Sequence, residues 1–166
     1  MDYLFTPWRY QYITGAAAEA SAQNCLFCAI RQATDDAASL VVHRGTECLV
    51  MLNRFPYTSG HLMIAPYGHV DELRKLPAAA ANEMMALAQR ADGVLRNLYR
   101  PHGMNLGMNQ GRAAGAGVAG HIHLHALPRW FGDTNFMGAT AETRVLPESL
   151  EQAYARIKSA WQDSKP

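Results

Sequence analysis

The sequence has no surplus of charge, no long apolar run and few cysteines. Lys and Arg number 15 against 14 Asp and Glu, a net charge of +1. Proteins that grip nucleic acid through its phosphates carry a basic surplus, so that class is excluded as an expectation. Charged residues total 17%, below the roughly 25% usual for soluble domains. No apolar stretch approaches the roughly 20 residues that cross a bilayer. The opening MDYLFTPWRYQYITG mixes charge, Pro and aromatics and lacks the basic-then-apolar order of a secretory leader. A cytoplasmic protein without membrane contact is expected. Cys25, Cys28 and Cys48 are odd in number, which points to thiols or a metal in a reducing compartment rather than to a disulfide framework.

What is present suits one domain. Apolar residues make up 49% of 166, and no repeat or linker divides them. Residues 40–43, 47–53 and 60–65 read as strands, with RFPYTS at 54–59 as the turn of a hairpin. Residues 77–99 read as a long helix. Pro77 suits its first turn, and Met84, Leu87, Ala88, Ala91, Leu95 and Leu98 form an apolar face from which Asn82, Glu83, Arg90 and Arg96 are excluded. Residues 103–109 and 121–127 supply two more strands, and a last helix over 147–161 carries Leu150, Tyr154, Ile157 and Trp161 on one side. The expected class is α+β, a mostly antiparallel five-stranded sheet with one long and one C-terminal helix.

The chemistry concentrates in HIHLHALPRW. His121, His123 and His125 alternate with Ile122, Leu124 and Ala126. In a strand alternate side chains share a face, so the three imidazoles project one way. Three readings compete. A histidine-rich strand without a role leaves polar rings to satisfy. A zinc held by all three would activate water. A nucleophilic imidazole would carry a covalent intermediate, and neutral imidazole is abundant near pH 7. The preceding GRAAGAGVAG, residues 111–120, favours the last: glycines let backbone approach a ligand, and their N–H groups form anion-binding concavities.

HIHLHAL resembles the histidine triad (HIT) motif of nucleotide hydrolases and transferases. The stretches YLFTPWRYQYI (3–13), CLFC (25–28), LNRFPYTSGHLMIAPYGHV (52–70), NLGMNQGRAAGAG (105–117) and HIHLHALPRWFGDTNFM (121–137) resemble its bacterial diadenosine tetraphosphate phosphorylase branch. The resemblance implies a HIT-like fold spanning 1–166, with residues 1–24 as an N-terminal arm. It implies that His123 is the nucleophile on the α-phosphorus, flanked by His121 and His125, with His125 at the phosphate or the departing oxygen. It places Asn53 at the ribose, Asn109 or Gln110 near the phosphates, and the N–H groups of Gly117 and Val118 on the α-phosphate. Hydrolase branches carry Gln or Ser four or three residues before the first histidine, where this chain has Gly117 and Val118. That departure suits inorganic phosphate as acceptor. The partners so implied are a nucleotide, phosphate and a second copy in a homodimer. A hydrolase of dinucleoside polyphosphates or nucleoside phosphoramidates and a nucleotide-binding signalling module are the alternatives.

Cys25 and Cys28 have the C-x2-C spacing of two zinc ligands. By itself it fits two small core residues equally, while no βαβ context suggests a redox pair. In zinc-bearing branches of the same superfamily the remaining ligands fall at positions matching His69 and His121, so the resemblance implies a structural zinc on Cys25, Cys28, His69 and His121, and no organic cofactor. Cys48 is expected as a buried thiol, His61 as a core histidine or a support of the triad, and His43 and His102 as peripheral. Trp8 and Trp130 suit core or base stacking, and Arg129 either the distal phosphates or plain surface.

Overall fold

The computed structural model describes residues 22–133 and 147–164. β2 (Cys48–Leu52) and β3 (Leu62–Pro66) are buried at every position, the mark of strands covered on both faces. They lie inside a five-stranded sheet ordered β1-β2-β3-β5-β4, where β1 is Val41–Arg44, β4 Gly103–Met108 and β5 Leu124–Arg129. All four pairings are antiparallel. β1 to β4 begin and end within two residues of the ranges read from sequence.

Side-chain alternation divides the core. One face carries Val50, Leu52, Leu62, Ile64, Leu124 and Ala126 against the long helix α2 (Ala78–Tyr99) and the C-terminal helix α3 (Leu150–Asp163). The other carries Val41, Leu49, Met51, Met63 and Ala65 against Phe27 and Ile30 of α1 (Leu26–Gln32). Seven residues with no repeating apolar period gave no sequence signal for α1. The guanidinium of Arg44 holds its C-terminal end, donating to the carbonyls of Ile30, Arg31 and Ala33 while pairing with Asp36 at 2.8 Å.

Three differences from the sequence reading have local causes. Pro77 is the N-cap of α2 rather than part of its first turn. α3 begins at Leu150, three residues after Pro147, because Ser149 and Gln152 close a reciprocal capping box. β5 begins at Leu124 rather than at 121. Its ladder with β3 stops at Ile64 opposite Leu124, and Ile122 N–H donates instead to Val70 O at 2.6 Å. The first 21 residues of the expected 1–24 arm, Trp8 among them, lie outside the described residues.

Two of the charges excluded from the apolar face of α2 make tertiary bonds. Arg90 donates to Trp161 O and Ser164 O, and its guanidinium sits 4.7 Å from the Trp161 ring centre. Glu83 accepts the N–H groups of Thr46, Glu47 and Cys48 at 2.8, 2.5 and 2.9 Å. These are charge-assisted bonds to the three successive amides that lead into β2. Glu83→Ala is expected to cost about 2 kcal/mol, read as a midpoint lowered by about 4–8 °C in thermal melting. An unchanged midpoint would remove this carboxylate from the account of β2.

Candidate active site

The tight turn between β2 and β3 sets the outer edge of the site. Gly60 has φ +75°, and a Cβ there would meet Tyr99 at 2.9 Å and Pro128 at 3.3 Å, so the turn packs against the end of β5. His61 leaves it directly into β3. The register pairs Met63 with His125 and His125 with Gly107. It places His125 on the face of the sheet away from the long helices.

The three imidazoles form one row, although 121–123 lie before the strand. His123 and His125 have ring centres 4.8 Å apart, and the Phe27 ring lies 4.8 Å from His123 and 5.1 Å from His121. His121 and His123 are buried and His125 is partly exposed.

Backbone partners set each tautomer. His123 Nδ1 lies 2.8 Å from the carbonyl oxygen of His121. A carbonyl only accepts, so Nδ1 carries the proton and Nε2 keeps its lone pair. Burial lowers the His123 pKa, opposed by that hydrogen bond. At His125 the proton assignment passes through His61. Tyr57 N–H donates to His61 Nδ1 at 3.2 Å, which puts the His61 proton on Nε2. His61 Nε2–H then donates to His125 Nδ1 at 2.8 Å. His125 is left with its proton on Nε2, a donor beside the His123 ring, whose Nε2 keeps its lone pair. The side chain of Asn53 closes the chain of contacts, 3.3 Å from His61 Nδ1, while its Oδ1 accepts Phe55 N–H at 3.0 Å. His61 is thus both a core histidine and a support of the triad. The sequence offered the two readings as alternatives, and the pairing of β3 with β5 makes them compatible.

Burial, and after it the neighbouring His123, pushes the His125 pKa down to about 4. A lowered imidazole pKa keeps the neutral form through the usual range, and protonation sets in only as pH falls toward 4. A second proton on His125 would set two donors against each other at the His61 contact. Turnover is therefore expected to hold from pH 7 to pH 5 and to collapse near pH 4 in a buffered rate profile. A half-loss centred near 6.5, the value of an ordinary histidine, would contradict this.

A second cluster adjoins the row. His121 Nε2 donates to Pro66 O at 2.8 Å, which leaves Nδ1 unprotonated, 3.3 Å from Cys25 Sγ and 3.8 Å from Cys28 Sγ. His69 Nδ1 lies 3.4 Å from Cys28 Sγ. The four ligand atoms all fall within 4.8 Å of one another. A tetrahedral zinc with bonds of about 2.0–2.3 Å spaces its ligands about 3.3–3.8 Å apart, so the set fits that ion. Burial holds the His121 pKa down to about 4, which favours the neutral ligand form. These are the four residues the resemblance implied. Cys48 stands apart: its Sγ faces Ala80 O, and burial pushes its pKa up to about 12, as a buried thiol requires.

The Gly-rich loop turns on Gly111 (φ +76°) and Gly115 (φ +82°), either side of a 3-10 turn at Arg112–Ala114. Gln110 Oε1 accepts Leu73 N–H at 2.8 Å, whereas Asn109 donates to Gly115 O at 3.4 Å inside the loop. Gly117 is exposed, Val118 packs against the core cluster that holds Phe27 and Met63, and Val118 O accepts His121 N–H. Arg129 is engaged by Asp133 and Asn105. Trp130 meets Tyr99 edge-on at 6.3 Å, and His102 is exposed and accepts Phe131 N–H. His43, expected at the periphery, is partly buried against Trp161 at 5.6 Å. The sequence reading passed over Phe27. Its only signal was its place inside CLFC, between two metal-ligand candidates.

This fold and its histidine row define a family. The HIT domain matches residues 34–132, and the chain belongs to the HIT family. It is 37% identical to the AP-4-A phosphorylase of Mycobacterium tuberculosis over 163 residues, covering 95% of this chain and 83% of that protein. It is 33% identical to the uncharacterized HIT-like protein Rv1262c of the same organism over 145 residues, 84% of this chain and 99% of the relative. Among solved structures, a Zn-bound histidine triad family protein from Mycobacterium smegmatis superposes with a TM-score of 0.67 at 27% identity, covering 86% of this chain and 96% of that one.

Proposed function

We propose that this HIT-family enzyme is a nucleotidyl transferase that splits dinucleoside polyphosphates with inorganic phosphate, taking diadenosine tetraphosphate to ADP and ATP. The observation that carries the reading is the pair of tautomers: a lone pair on His123 Nε2 beside a proton on His125 Nε2. The likeness to an AP-4-A phosphorylase supports the substrate class. In the first step His123 Nε2 attacks the α-phosphorus. A P–N bond forms, the P–O bond to the β-phosphate breaks, and ATP leaves with its new oxygen charge met by His125 Nε2–H. In the second step a phosphate oxygen attacks the same phosphorus, the P–N bond breaks, and ADP leaves. The backbone N–H groups of Gly117 and Val118 and the side-chain amide of Asn109 or Gln110 stabilise charge on the equatorial oxygens. Gln110 spends only its carbonyl on Leu73 and keeps both side-chain N–H donors, whereas Asn109 gives one N–H to Gly115 O and keeps one. Asn53 takes the ribose hydroxyls.

Zinc on Cys25, Cys28, His69 and His121 would be closed on four protein ligands, which is structural coordination, and would leave His123 free of metal. Reduced thiols for that site suit a cytoplasmic setting, and among the described residues no helix is long and apolar enough to cross a membrane. The edge strand β4, with Leu106 half-exposed, offers the seam of a homodimer.

Chromatography of the products with and without phosphate tests the acceptor. Added phosphate is expected to raise the rate and to give ADP with ATP. AMP with ATP, at a rate indifferent to phosphate, would make the enzyme a hydrolase.

A further inference from the structure

Phe27 is 2% exposed, and packing under the sheet explains its burial. It does not explain where the ring points. Phe27 lies between Cys25 and Cys28 at the start of α1, and its ring reaches past them to His121 and to His123, at 4.8 Å and 41° from the latter. His125 meets the His123 ring at 4.8 Å and 68°. The two contacts limit how the imidazole can turn, and the His121 carbonyl takes the Nδ1 proton. A half-turn of that ring about its Cβ–Cγ bond would break the Nδ1–H bond and misplace the lone pair. Two of the three supports, Phe27 and the His121 carbonyl, belong to the segments that carry Cys25, Cys28 and His121, three of the four members of the metal-binding set.

We propose that the four-residue metal clamp positions the nucleophile: with Cys25 and Cys28 fixed, Phe27 braces the His123 ring, and with His121 fixed, its carbonyl holds the Nδ1 proton. Phe27 is a positioning residue, and it touches no reacting atom. The inference rests on the reading that His123 Nε2 is the atom that reacts. Metal and nucleophile are then coupled through one side chain and one carbonyl, although the metal itself takes no part in the chemistry.

The test is long-range nitrogen–proton NMR of the histidine rings in full-length protein, zinc-loaded and then stripped by a chelator, together with Phe27→Leu. Zinc-loaded protein should show His123 in one tautomer with Nδ1 protonated. Stripped protein should show exchange between both tautomers. Phe27→Leu should keep one zinc per chain and still lose the single tautomer. Its adduct-forming rate at saturating substrate should fall about tenfold or more, since small misplacements of reacting groups carry losses of that order. A stripped protein or a Phe27→Leu variant that keeps both the single tautomer and the wild-type rate overturns the proposal. If stripping unfolds the chain, Phe27→Leu with its zinc retained decides alone. If wild type forms no adduct with any nucleotide, the functional reading fails, and the NMR comparison still decides the coupling.

Discussion

His123→Ala is expected to lower turnover of diadenosine tetraphosphate by at least about a thousandfold, the scale on which loss of a nucleophile is felt in covalent catalysis. Among the described residues no neighbouring imidazole is placed to take over its role. His121 faces Cys25 and Cys28 through Nδ1 and Pro66 O through Nε2. His125 accepts from His61 on Nδ1 and presents a proton on its other nitrogen. Among the described residues, only His123 combines neutrality, a tautomer fixed by a carbonyl and an uncommitted Nε2. The same substitution should leave nucleotide binding within a few-fold, because the groups proposed for ribose and phosphate are elsewhere, at Asn53, at Asn109 or Gln110, and at the 117–118 amides. A His123→Ala enzyme retaining a tenth of wild-type turnover would mean that water or phosphate attacks phosphorus directly.

The second large effect is expected from the metal. Chelation of wild-type protein, or Cys28→Ala, should remove one zinc per chain and lower the melting midpoint by about 8–16 °C. That corresponds to roughly 4 kcal/mol of binding linkage in a domain of this size. The cluster joins α1 to residues just past β3 and just before β5, segments separated in sequence by as many as 96 residues. Without an ion, Cys28 has its thiol pKa raised, first by burial and next by its hydrogen bond to Cys25, and two sulfurs and two ring nitrogens are left to pair only with one another. Cys48→Ala, on the opposite face of the sheet among Val50 and Ile64, should leave the zinc content at one per chain. Equal melting with and without the chelator would reduce the four residues to ordinary packing.

β2 and β3 were legible as short continuous apolar runs and the long helix by apolar residues three and four apart, all of them local patterns. The triad was legible for the same reason, since alternation alone puts three histidines on one side. What escaped was contact information. α1 is two turns long and amphipathic only once the sheet beneath it is known. The link from His61 to His125 spans 64 residues and exists only because β3 pairs with β5 at one register. Glu83 read only as a residue off the apolar face of the helix, and it accepts three amides because β2 begins beside α2. β5 starts at 124 rather than 121 because its ladder with β3 stops at Ile64 opposite Leu124 and Ile122 N–H goes to Val70 O, contacts no local pattern reveals. C-x2-C was weak evidence by itself, and it gained meaning when the structure brought His69 and His121 to the same point.

The most direct measurement is the intact mass of the protein after brief exposure to diadenosine tetraphosphate without phosphate, followed by mapping of the modified peptide. One acid-labile AMP group per chain on His123, discharged as ADP when phosphate is added, is the outcome these contacts require. Unmodified protein during rapid turnover, or AMP carried on any other side chain, would contradict them.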